Sequence, residues 1–129
     1  MRTARALFTA TVAAVAAATV LSAPASASEG QDSTLELMLV HGDQVRRTTL
    51  TCQPHGGTHP NGPAACADLQ QAQGNFANLP GAKDKSCTME YNPVDAKAMG
   101  TWRGAPVEFN RHFGNPCTVN AAMGPVFRF

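Results

Sequence analysis

Four cysteines, Cys52, Cys66, Cys87 and Cys117, constrain this chain most strongly. What they mean depends on the compartment, and the N-terminus indicates it. Arg2 and Arg5 precede an apolar run from Leu7 to Leu21, and Ala25-Ser26-Ala27 has the small-x-small form that signal peptidase accepts. The run falls short of the roughly 20 apolar residues of a transmembrane span. Residues 1–27 therefore read as a secretory signal peptide cleaved after Ala27, with Ala25 as the alternative. Secretion puts the cysteines in an oxidising compartment, where two disulfides are the default. Spacing alone does not choose among the connectivities, and sequential pairing, 52–66 and 87–117, is the simplest. On the chain-entropy model those bridges contribute about 3 and somewhat under 4 kcal/mol. A small domain typically has only about 5–15 kcal/mol of stability in all. No pair is Cys-x-x-Cys, which argues against zinc, and no metal or other cofactor is expected.

Cleavage after Ala27 of the 129-residue chain leaves residues 28–129, enough for one domain. Losing Arg2 and Arg5 takes the formal charge from +1 to −1. A near-neutral domain gives no electrostatic reason to bind nucleic acid or an anionic membrane. The sequence has no Gly-x-Ser-x-Gly, no His-Glu-x-x-His and no Gly-rich phosphate loop. Its cysteines are committed to bridges and its carboxylates are scattered, so no enzyme is expected.

Residues 28–33 are polar and read as a disordered lead. Leu35, Leu37 and Leu39 alternate within 34–41, the period of a strand with one buried face. Gly42-Asp43 is a turn signal, and 45–51 reads as the hairpin partner. Gly and Pro dominate between Cys52 and Cys66, which predicts an irregular loop. Pro63 suits a first helical position, 64–73 reads as a helix, and Gly74 would stop it. Residues 79–86 read as a surface loop. Two strands are expected at 93–99 and 105–113, with Val107, Phe109 and Arg111 on one side. A short helical turn is expected after Cys117, and 125–129 reads as a last strand. The pattern is α+β, an antiparallel sheet covered on one face.

The most informative stretch is Cys87-Thr88-Met89-Glu90-Tyr91-Asn92-Pro93. A disulfide would fix its entry. Pro93 stiffens its exit, locking its own φ and biasing Asn92 toward extended backbone. A stiff extended peptide with a long apolar side chain at Met89 is what a serine protease cleft accepts. Composition alone leaves a core role open for Met89 and a solvated one for Glu90, and Trp102 reads as structural. His55 and His59 are four apart, but Gly56, Gly57 and Pro60 argue against the helix that would align them on a metal. A turn or capping role is expected, and His41 and His112 have no evident partners.

From about Leu35 to Phe129 the chain resembles the Streptomyces subtilisin inhibitor family. The matching pieces are Leu50-Thr51-Cys52, Gly57-Thr58-His59-Pro60, Ala65-Cys66-Ala67-Asp68-Leu69, Tyr91-Asn92-Pro93-Val94, Trp102-Arg103-Gly104, Asn115-Pro116-Cys117 and Val126-Phe127-Arg128-Phe129, in the family's order. The resemblance implies a five-stranded antiparallel sheet with two helices on one face and disulfides Cys52–Cys66 and Cys87–Cys117. It implies a secreted inhibitor of subtilisin-like, and by its apolar Met89 also chymotrypsin-like, serine proteases. The reactive bond would be Met89–Glu90, with Ser86 at P4, Cys87 at P3, Thr88 at P2 and Tyr91 at P2′. Asn92 and Pro93 would complete the binding loop, and Asn115 would support it from behind. A homodimer joined through the sheets is the form implied. Three features depart from the family pattern. Ser86 stands where apolar residues often sit, Glu36 lies in a less apolar first strand, and the Cys52–Cys66 loop is slightly shorter. The alternative reading is a non-inhibitory secreted binding module using the same loop.

Cys-Thr-x-Glu-Tyr-x-Pro is also similar to the reactive loop of Kazal inhibitors, whose six-cysteine domains are otherwise different. That similarity implies that the Thr88 and Glu90 side chains brace the scissile bond by hydrogen bonds.

Overall fold

A computed structural model describes residues 32–129. Residues 1–31, which hold the expected signal peptide and most of the expected disordered lead, lie outside the described residues. The elements in chain order are β1 (Ser33–His41), β2 (Gln44–Cys52), β3 (Gly56–Gly57), α1 (Gly62–Gln71), β4 (Val94–Trp102), β5 (Ala105–Phe113) and α2 (Pro116–Met123). The sheet order is β3-β2-β1-β4-β5, every pairing antiparallel.

The period-two pattern of β1 sets the sheet's buried face. Leu35 lies opposite Leu50 in β2, and Leu37 opposite Ala98 in β4. These side chains and Ala96 pack against Ala65 and Leu69 of α1 and Val119 and Met123 of α2. Leu35, Leu37, Leu50, Leu69, Met123 and Val126 are the largest fully buried side chains. At about 1.5–3 kcal/mol for each large apolar side chain removed from water, this layer drives the fold.

Both helices are set by their ends. α1 has Pro at its start and closes where the Gly74 N–H donates to the Leu69 carbonyl at 2.8 Å. Cys66 in α1 is bridged to Cys52 at the end of β2, tying helix to sheet. α2 begins at Pro116 with Asn115 as its N-cap, so Cys117 lies in its first turn rather than before it.

Three expectations need correction. Ser33 belongs to β1, not to a disordered lead. It is only 2% exposed, and its hydroxyl accepts the Arg103 N–H at 2.9 Å. Residues 125–129 form no strand; 124–127 are a 3-10 turn that buries Val126 and Phe127 side by side. Pro125 lacks the N–H that a sheet ladder needs. The fifth strand is instead Gly56–Gly57, paired with Leu50 and Thr51. It runs so close to β2 that a β-carbon on Gly57 would sit 2.2 Å from the Thr49 carbonyl oxygen.

In β5, Val107 and Phe109 are half-buried against the core. Arg111 is exposed, with its guanidinium 4.8 Å over the Phe113 ring. Trp102 is buried in the core, the structural role expected of it. His59 is buried: its Nδ1 accepts the Asn61 N–H at 2.9 Å, so its Nε2–H donates to the Val126 carbonyl at 2.9 Å. That is a turn-fixing role. His55 is exposed.

Candidate reactive-site loop

The segment between the 3-10 turn Phe76–Asn78 and β4 crosses one end of the molecule without regular structure, apart from a turn at 83–84. It starts close against α2. Gly81 has φ +63, and a β-carbon there would lie 2.2 Å from the Ala121 carbonyl oxygen. The next N–H, of Ala82, donates to that carbonyl at 2.9 Å.

Beyond Ser86, which is exposed, the chain is fixed at several points. Cys87 is bridged to Cys117 in the first turn of α2. Asn115, one residue before that helix, is 6% exposed and points its side-chain amide under the loop. Its Nδ2 donates to the Thr88 carbonyl at 3.1 Å and to the Glu90 carbonyl at 2.9 Å. Two carbonyls two residues apart reaching one amide is the spacing of an extended chain. Among the described residues, the Met89 carbonyl between them has no partner.

Asn115 can do this because the helix end orients it. Its Oδ1 accepts the Thr118 N–H at 3.0 Å, while its own N–H donates to Thr118 Oγ1 at 3.3 Å, completing a capping box. An amide offers two N–H donors and an acceptor, and all are used here. A carboxylate could cap the helix but could not donate to the loop.

On the exit side the Asn92 N–H donates to the Gly114 carbonyl at 2.7 Å. The Asn92 Oδ1 accepts from His41 Nε2 at 2.7 Å. Pro93 then leads into β4. What this scaffold presents is apolar: Met89 is 98% exposed and Tyr91 77%. Leaving a methionine side chain in water forgoes the burial energy that a partner's pocket would supply.

The structure thus brings the expected loop residues and Asn115 together. It does not bring together the side-chain braces expected of Thr88 and Glu90. Both side chains are exposed, and neither hydrogen-bonds a described residue. Bracing runs through their main-chain carbonyls instead. Sequence reasoning missed Gly114, His41 and the capping role of Thr118. The Asn115-Pro116 pair, an N-cap followed by proline at the first helical position, was a readable sign of the last. His112, likewise without an evident partner in sequence, has its Nδ1 2.8 Å from Asp95 Oδ1.

A family model described as subtilisin inhibitor-like matches residues 31–115, a span that includes the whole loop and Asn115. The chain belongs to the subtilisin inhibitor-like family. Among its relatives, subtilisin inhibitor-like protein 5 of Streptomyces fradiae is 46% identical over 86 residues, covering 66% of this chain and 80% of the relative. The subtilisin inhibitor of Streptomyces violaceus is 40% identical over 124 residues, covering 90% of this chain and 85% of that one. Among solved structures, Streptomyces caespitosus sermetstatin, crystallised in complex with Bacillus licheniformis subtilisin, is similar with a TM-score of 0.65 at 30% identity. That match covers 76% of this chain and 99% of sermetstatin. The disulfide pairing and the layered fold of this subtilisin inhibitor-like domain are those the resemblance implied.

Proposed function

We infer that the chain is a secreted protein inhibitor of serine proteases of the subtilisin type, with Met89–Glu90 as its reactive bond. The observation that carries this is the Asn115 amide bound to the carbonyls of Thr88 and Glu90 beneath a Met89 that is 98% exposed. The loop binds as a substrate, with Met89 in the primary specificity pocket. Because it is already ordered, little conformational entropy is lost on binding, and more of the contact energy appears as affinity. Interfaces of this class, about 1,600 Å², include some of the tightest known.

The same braces explain why such a loop resists hydrolysis. When the bond opens, Cys87–Cys117 retains the Met89 side. The Asn115–Glu90 and Asn92–Gly114 bonds retain the new amine. The amine then competes with water at the acyl carbon at high effective concentration. Methionine is unbranched and polarizable and adapts to several apolar pockets, which extends the reading to chymotrypsin-like enzymes.

The homodimer would use the sheet face away from the helices. Cross-strand neighbours Val40 and Val45 lie there, as do the exposed Met99 and the Glu36–Arg47 ion pair at 3.1 Å. Light scattering over a dilution series tests it.

Titration of subtilisin with the purified secreted protein tests the function. A linear loss of activity to a fixed molar endpoint is expected. Full activity at excess protein would refute inhibition and favour a binding module.

A further inference from the structure

We propose that His41 is a positioning residue for the reactive loop, holding the leaving-group side of the Met89–Glu90 bond through the Asn92 side chain. This rests on the reading of Met89–Glu90 as the reactive bond.

His41 is the last residue of β1 and lies in register with Val94, the first of β4. Its backbone is therefore fixed by the sheet rather than by the loop. Asn92 lies two residues before Val94 and two after Glu90, and its side chain reaches the imidazole at 2.7 Å, although the two residues are 51 apart in sequence. Because the partner atom is a carbonyl oxygen, the histidine's Nε2–H is the donor. The Asn92 main-chain N–H meanwhile donates to Gly114, the residue after β5. β4 lies between β1 and β5 in the sheet. Asn92 is thus anchored to both flanking strands, to one by its side chain and to the other by its backbone. One anchor alone would let the segment rotate about that bond; two at one residue fix its position and its roll.

The consequence falls on the second half of the reaction. In acylation the protease's serine oxygen bonds the Met89 carbonyl carbon. The bond to the Glu90 nitrogen breaks, and that nitrogen takes the proton relayed by the enzyme's general base. Religation reverses each of these: the amine nitrogen attacks the acyl carbon, the serine oxygen leaves, and the proton returns. Its success depends on the amine staying near the acyl carbon, and the nearest side-chain anchor downstream of Glu90 is the one to His41. His41 touches none of the reacting atoms and lies on the opposite side of β4 from Gly114. It affects religation and the balance between intact and nicked loop, not docking of Met89.

The test uses the whole secreted protein as wild type, His41→Ala, His41→Gln, Asn92→Ala and the His41→Ala/Asn92→Ala double variant. Two quantities are read with subtilisin: the association rate, and the equilibrium ratio of nicked to intact inhibitor. His41→Ala is expected to raise that ratio roughly fivefold, the scale of one net hydrogen bond, with the association rate unchanged. His41→Gln keeps an N–H donor and is expected to restore most of the difference, which a merely space-filling role would not. The double variant is expected to be no worse than either single one. A His41→Ala ratio equal to wild type, a His41→Gln ratio as raised as that of His41→Ala, or additive effects in the double variant would each overturn the proposal. If His41→Ala does not fold, Asn92→Ala decides alone, because it leaves β1 and the Gly114 bond intact; a wild-type ratio there overturns the proposal. A wild type that fails to inhibit refutes the reactive-bond reading and the clamp with it. A wild type that inhibits, with variants that match it, refutes the clamp alone.

Discussion

Asn115 donates its side-chain amide to the Glu90 carbonyl at 2.9 Å from a position where the same side chain caps α2. One residue therefore couples the start of a helix to the geometry of an exposed peptide bond. The two roles separate chemically. Asn115→Asp keeps an acceptor for the Thr118 N–H but has no donor for the loop. It is expected to melt below the wild type, because a carboxylate at this 6% exposed position faces two carbonyl oxygens with no donor between them. It is also expected to be nicked by subtilisin roughly tenfold faster or more, two hydrogen bonds having been lost. Asn115→Ala loses the cap instead, at a cost of about 1 kcal/mol, and the same two loop bonds, but sets no charge against the carbonyls. Thermal melts beside a nicking time course distinguish the two.

Met89→Lys is expected to create trypsin inhibition and weaken that of subtilisin. The scaffold beneath is unchanged, and only the side chain offered to the pocket differs. Inhibition constants against both enzymes check this. A lysine variant that still ignores trypsin would place the primary contact elsewhere.

Cys87 and Cys117 are 30 residues apart and anchor the loop to α2. Replacing both by Ser is expected to cost about 2–4 kcal/mol of stability by chemical denaturation. Below the melting temperature, subtilisin should digest this variant rather than be blocked by it. Reduction of the wild type should act in the same direction.

Asp68 on α1 has its pKa raised from the ordinary 3.8 by desolvation, which the nearby Arg128 charge only partly offsets. The folded state holds that proton to higher pH than the unfolded state. Stability from this group is therefore greatest at low pH, falls as pH rises from the ordinary value through the raised one, and is level above it. Asp68→Asn is expected to raise the melting temperature at neutral pH and leave it unchanged below the ordinary carboxylate range. A melting series across pH checks the sign; a variant destabilised at neutral pH would mean that Arg128 dominates.

Much of the architecture was legible because the informative residues carry side chains in a period. Leu35, Leu37 and Leu39 announce β1, and Pro63 and Gly74 bracket α1. β3 is two glycines without side chains, so no period marks it; what fixes it is how close it runs to Thr49, a tertiary fact. The terminal segment looked like a strand because Val126, Phe127 and Phe129 are apolar, but Pro125 and the packing of α2 impose a 3-10 turn. In the loop, Met89 and its flanking Cys87 and Pro93 could be read directly. The braces could not: the Gly114 carbonyl is invisible in sequence, and His41 meets Asn92 only after the sheet has aligned β1 with β4.

The most direct measurement is the reversibility of the Met89–Glu90 bond. Intact protein, and protein already nicked between Met89 and Glu90, are each incubated with a trace of subtilisin and followed by mass spectrometry until the composition stops changing. Both are expected to converge on one mixture of intact and nicked chains, with no other bond cut. Convergence to full digestion, or a nicked form that never regains the bond, would contradict Met89–Glu90 as the reactive site.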